Sequence, residues 1–138
     1  KLNYIIKKNK QNKKYLKKKI KKNKFFEFRK INSEDEISDT LILIMNTKRN
    51  SKNLVKLLAK NKIGTKNLPD SLDWHFTGNW GHIFKNVKKY KKNYKSTWNV
   101  SRDLLERSIA LPIFVKSKKI HLDFVARTIN KFFLKLDN

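Results

Sequence analysis

The chain has no cysteine, three glycines, two prolines and one methionine, and only 11 acidic residues against 35 basic ones. Each shortage excludes something. Without cysteine there is no disulfide framework and no thiolate metal site, and the compartment expected for such a chain is a reducing cytoplasm. Three glycines cannot build both a phosphate-binding loop and its supporting turn, and neither a Walker motif nor a dinucleotide fingerprint is found. No serine sits in a glycine-flanked nucleophile elbow, so a hydrolase triad has no support. The longest apolar run, Leu41 to Met45, has the length of a buried strand, far short of the roughly 18 residues of a membrane span. At 138 residues there is room for one domain with one modest core.

What is abundant is lysine. The net charge is +24, with 30 lysines to 5 arginines and a further 16 asparagines, while Gly, Ala and Pro together reach eight. Lys, Asn, Ile and Phe have A/T-rich codons, and Gly, Ala and Pro have G/C-rich ones. The pattern is the one an A/T-rich genome imposes. A dedicated nucleic-acid reader leans instead on arginine, whose planar fork reads phosphate and guanine bidentately. Nucleic acid is therefore not the expected partner, and neither is a membrane. Two other readings compete: a standalone basic RNA-binding or ribosomal-type protein, and a helical module that binds an acidic partner through Lys1 to Lys24. An RNA binder would interleave exposed aromatics with arginines, whereas Phe28, Phe124 and Phe132 are expected on apolar faces.

Local patterns predict an α+β fold, a small, mostly antiparallel sheet covered by helices on one face. Lys1 to Lys24 holds twelve lysines and no acid. Leu2, Ile5, Ile6, Leu16 and Ile20 fall on one helical face, predicting a long helix docked at its two ends. Phe25 to Lys30 is β-prone, and Ile31 to Ser38, with Glu34, Asp35 and Glu36, is a solvated acidic loop. Thr40 to Met45 is the candidate central strand. Asn50 or Ser51 caps a helix that buries Leu54, Val55, Leu57, Leu58 and Ile63, and Gly64 stands where a C-cap glycine belongs. Thr65 to Leu68 is a candidate short strand. Ser101 to Ile109 reads as a helix and Leu111 to Val115 as a strand that Pro112 pushes to an edge. The last helix buries Ile120, Phe124, Val125, Thr128, Ile129 and Phe132.

Between Asp70 and Trp98 lies the irregular part, with all three tryptophans and two of the three histidines. Tryptophan faces stack on a sugar ring or a planar cofactor, and a histidine beside them can donate to a carboxylate or exchange a proton near neutral pH. Gly78 and Gly81 let the backbone bend toward a ligand. The alternative is that Trp74, Phe76 and Trp80 plug a long loop onto the domain. For a metal site His75 and His82 would need at least one further ligand from the nearby Asp70 and Asp73, and the spacing assigns none.

At these residues the chain resembles the C-terminal part of the sugar aminotransferases of the DegT/DnrJ/EryC1/StrS family. Leu2-Asn-Tyr-Ile-Ile with its lysine-rich helix looks like the helix that leaves the family's large domain. Asp39-Thr-Leu-Ile-Leu-Ile, followed by a helix and Lys62-Ile-Gly-Thr, resembles its strand, helix and turn. Arg107-Ser-Ile-Ala-Leu-Pro-Ile113 matches its closing strand, and the last helix its terminal helix. The stretch from Ile63 to Ile83 is similar to the amino-octulosonate subgroup, which aminates a sugar acid of the octulosonate (Kdo) type.

The resemblance implies a pyridoxal-phosphate enzyme that aminates a keto-sugar or sugar acid in lipopolysaccharide or cell-envelope polysaccharide synthesis. It implies glutamate as amino donor, a homodimer, and a Schiff-base lysine in a large domain. None of the thirty lysines sits in the matching motif, so no catalytic or cofactor-binding residue is assigned here. By the same likeness residues 1–24 are an interdomain helix and 25–138 a small C-terminal domain with a substrate-side loop at 69–100. Trp74, His75, Trp80 and His82 are its substrate-binding candidates. Because Lys1 opens the sequence and Met45 is its only methionine, the chain is expected to be a fragment, inactive by itself.

Overall fold

The structure, a computed structural model, describes residues 1–30, 36–66, 76–84, 86–87 and 97–137. It is an α+β fold with a three-stranded antiparallel sheet and, among the described residues, five α-helices. The strands are β1 (Phe26–Phe28), β2 (Thr40–Met45) and β3 (Ser108–Pro112), in the order β1-β2-β3. The helices are α1 (Leu2–Lys19), α2 (Lys48–Lys60), α3 (Gly81–Phe84), α4 (Asn99–Arg107) and α5 (Lys119–Asp137).

The predicted central strand is central. Successive side chains alternate between sheet faces, so Leu41, Leu43 and Met45 share one face, and the register places Leu111 opposite Leu41 and Ile109 opposite Leu43. All five are buried. Against that face pack Leu16 and Ile20 at the end of α1, Leu54 and Leu58 of α2, and Leu122, Ala126, Ile129 and Phe133 of α5. Phe26 closes the sheet edge by stacking on Phe133, ring centroids 4.9 Å apart. Pro112 ends the edge strand, where its missing N–H costs no ladder bond.

Helix α1 is docked at one end only. Leu16 and Ile20 are buried, but Leu2, Tyr4 and Ile5 are exposed. Between them the helix buries Asn9 and Asn12 instead of apolar residues, and Asn12 Nδ2 donates to the Phe114 carbonyl at 2.9 Å. The free carbonyls at a helix end need partners. Here Asn130 of α5 supplies one, donating to the Lys19 carbonyl at 3.0 Å and accepting from the Lys21 N–H at 2.9 Å. In the acidic loop, Glu36 is half-buried and paired with Lys13 rather than solvated; Glu34 and Asp35 lie outside the described residues.

Both ends of α2 differ from expectation. Thr47, not Asn50 or Ser51, is the N-cap, its Oγ1 accepting from the Asn50 N–H at 3.1 Å. At the other end Lys62, φ 58°, holds the left-handed position. The Ile63 N–H bonds the Leu58 carbonyl and the Lys62 N–H that of Ala59, each at 2.9 Å, which is the Schellman arrangement. Gly64 lies outside the left-handed region, and a Cβ there would meet open space. A lysine at such a position costs about 1–2 kcal/mol, against about 0.5–1 for the extra chain entropy of glycine. Lys62→Gly is therefore expected to stabilise the domain by about 0.5–1 kcal/mol, read as a higher urea midpoint. Gly64→Ala should be neutral or slightly stabilising; a clear loss there would return the cap to Gly64.

After α2, Lys66 of the expected strand Thr65 to Leu68 bridges Ala110; Asn67 and Leu68 lie outside the described residues. The helix-to-strand switch comes three residues earlier than the sequence suggests. Ile109 belongs to β3, not to α4, and Leu104 of α4 is exposed. On α5 the buried stripe is Leu122, Ala126, Ile129, Phe132 and Phe133, while Ile120 and Phe124 face outward.

Candidate functional site

The segment around Trp80 is built on α4. Phe76 is buried at 6% exposure, and the Arg102 guanidinium of α4 lies 4.7 Å from its ring centroid. From the same arginine Nη2 donates to Asn79 Oδ1 at 3.0 Å. One residue thus holds both ends of the 3₁₀ turn Thr77–Asn79. Gly78 sits in that turn because a side chain would strike Phe76: a Cβ there would lie 2.9 Å from Cζ of the ring and closer still to Cε1.

Trp80 follows, half-buried. Its carbonyl accepts from the N–H groups of Ile83 and Phe84 at 2.9 and 3.1 Å, starting the short helix α3. His82 is exposed on that helix. Phe84 then contacts Trp98, ring centroids 5.2 Å apart, and Trp98 is the N-cap residue of α4. The segment therefore meets the N-terminal part of α4 twice, at Arg102 and at Trp98. Trp80 and His82 share one turn of backbone; Trp74 and His75 lie outside the described residues. Among the described residues no three His, Cys, Asp or Glu side chains cluster as a metal site.

Arg102 is the residue the sequence reading missed. The signal was its scarcity: an arginine among thirty lysines, suited to lying flat on a ring while forking to an amide, which a lysine cannot do.

A second set of charges fixes α4 itself. Arg107 Nε donates to Asp103 Oδ2 at 2.8 Å and its Nη1 to the Met45 carbonyl at 2.7 Å, tying α4 to the end of β2. Lys48 at the start of α2 pairs with Glu106 and, at 3.7 Å, with Asp103. The Arg107 hydrogen bond, with its charge and that of Lys48, holds the Asp103 carboxyl below its ordinary 3.8. The hydrogen bond to Glu106 raises Lys48 above its ordinary 10.5. A depressed carboxyl stabilises the fold fully above its unfolded pKa, and that stabilisation is lost as pH falls through the folded value. A raised lysine contributes below 10.5 and loses its contribution as pH rises through the folded value. The melting difference between the wild type and Asp103→Asn is thus expected to be constant from about pH 5 to 8 and to shrink below about pH 4. A constant gap down to pH 2 would exclude this pairing.

The aromatic test of the RNA reading divides. Phe132 is buried and Phe28 half-buried, but Phe124 is exposed, contrary to its expected place on an apolar face. No helix among the described residues is long and apolar enough to cross a membrane. No protein-family model matches the chain, and no curated protein matches it.

Proposed function

We propose that the chain is the small C-terminal domain of a pyridoxal-phosphate-dependent sugar aminotransferase, whose segment 69–100 faces a keto-sugar or sugar-acid substrate. One observation carries the reading: the sequence run from Ile63 to Ile83, whose described end is a folded turn that bears Trp80 and His82 and is held against α4 by Arg102. Tryptophan is a residue type that stacks on sugar rings. An exposed imidazole nearby can donate to a carboxylate or hydroxyl. The exposed Leu2, Tyr4 and Ile5 at the start of α1 suit a helix that enters from a larger neighbouring domain. Pyridoxal phosphate would supply the amino-transfer chemistry from that domain, and no residue of this chain is assigned to hold it. The chain's own part is to bind and orient the sugar.

Two measurements test this. The gene upstream of Lys1 should continue in frame through a domain bearing the Schiff-base lysine; a stop and start codon directly before Lys1 would sink the proposal. In the intact enzyme, His75→Ala and His82→Ala should slow the sugar half-reaction while leaving cofactor loading by the amino donor unchanged. Equal losses in both half-reactions would assign the histidines to packing.

A second reading, a basic RNA-binding protein, is favoured by the exposed row Lys7, Lys10, Lys14 and Lys18 on α1, spaced along one helical face. It requires RNA affinity that falls steeply with salt and that charge reversal along this row abolishes.

A further inference from the structure

Helix α5 carries two stripes. The inner one builds the core. The outer one, Ile120, Phe124, Arg127, Lys131 and Lys135, is exposed throughout and repeats at the helical period, so its members lie in one line. Its first half is apolar and its second half is cationic. Spanning sixteen residues, it is about 22 Å long.

The apolar half opens into a cleft of about 810 Å³ between α5, the end of β3 and the turn after α2. Its floor is the buried Leu16, Leu111 and Leu122, and its walls are Phe114, Ile120 and Phe124, which are 63%, 66% and 43% exposed. Phe114 is held in place by its backbone, through the bond from Asn12 to its carbonyl. A neighbouring pocket, lined by Leu57, Lys131 and Lys135, shares Phe124 and Arg127 with the cleft. Two cations, Lys62 and Arg127, line the cleft beside His121, and among the described residues no acid lines it or the neighbouring pocket. The nearest acid on the helix, Asp123, is already engaged by Tyr15 and Lys19.

An apolar groove that continues into a cationic track selects its occupant by charge. A second copy of this chain, at +24, would bring like charge to like. We propose that this face docks an acidic amphipathic helix of a partner protein, about four turns long, with apolar side chains at one end and carboxylates at the other. The apolar end fills the cleft beside Phe114 and Phe124, and the carboxylates meet Arg127, Lys131 and Lys135. The surface is independent of the aminotransferase reading, so failure of either experiment leaves the other standing.

The test uses the whole chain and a fluorescein-labelled 16-residue helical peptide with Leu and Phe at one end of a face and Glu at the other. Binding is followed by anisotropy beside a scrambled peptide of the same composition. The ordered peptide should bind at least about tenfold more tightly than the scrambled one. Phe124→Asp should weaken it by about tenfold or more, and Lys131→Glu, fully on the surface, by a smaller factor that salt reduces. Unchanged melting of both variants certifies the fold. Equal binding of the scrambled peptide would reduce the effect to net charge and overturn the proposal. So would self-association, or RNA binding, that Phe124→Asp abolishes while peptide binding stays unaltered.

Discussion

Leu43→Ala is expected to destabilise the domain by about 2–5 kcal/mol, the range for truncating a buried leucine. Leu43 has no exposed surface and sits at the middle of the central strand, paired with Phe28 on one side and Ile109 on the other. Strands flank it on two sides and helices cover it, so little can collapse into the space left behind. A domain of this size has a total stability of roughly 5–15 kcal/mol, so the variant should melt far lower or be unfolded at 37 °C. Ile42→Ala is the control, because Ile42 points to the opposite face and is only half-buried. It should cost clearly less. Equal losses at the two positions would mean that the helices do not define the buried face.

Gly78→Val should release the turn that carries Trp80 and His82 while sparing the core. A valine side chain at this position collides with the Phe76 ring, which is itself confined beneath Arg102. Overpacking of this kind costs about 1–3 kcal/mol. The energy is concentrated in the segment, since Phe76 is not a member of the main core cluster. All three tryptophans, Trp74, Trp80 and Trp98, fall between residues 69 and 100, so tryptophan emission reports this segment and far-UV circular dichroism reports the rest. The expected result is a red-shifted emission with an unchanged dichroism spectrum and a nearly unchanged core melting temperature. On the proposed aminotransferase reading, the same change should also slow the sugar half-reaction. An unshifted emission would mean that Phe76 moves aside cheaply and that Gly78 serves no positioning role.

These two sites differ in how far they could be foreseen. The strand from Thr40 to Met45 was legible because a β-branched, apolar run has one stable place in a small sheet, its centre. The period-2 alternation then decided that Leu41, Leu43 and Met45 face together. The partition of α2 was legible for the same kind of reason, as its apolar residues recur at helical spacing. The caps were not. Thr47, Asn50 and Ser51 all carry side-chain oxygens able to accept from a free N–H, and only the path of the chain out of β2 selects Thr47. Gly64 looked like the natural left-handed residue, yet the bond from the Ile63 N–H to the Leu58 carbonyl places the turn two residues earlier, where Lys62 adopts it.

The candidate site divides the same way. Composition singled out the tryptophan- and histidine-bearing segment, but no local pattern could connect it to Arg102, which is more than twenty residues away and meets Phe76 only through the fold. On α5, two apolar stripes overlap in sequence: Ile120 and Phe124 keep the helical period as well as Leu122, Ala126 and Ile129 do. Which stripe is buried depends on the rotation of the helix against the sheet, in which Phe133 stacks on Phe26 of β1.

By itself the sequence determined the class of fold, the order of its elements, the central strand and the segment rich in recognition chemistry. All of these follow from local periodicity and residue type. Only the tertiary structure decided which end of α1 docks, which residue bends the chain after α2, which arginine carries the site, and which face of α5 is left open. Each of those is a choice between local solutions of nearly equal energy, and only packing between distant parts of the chain separates them.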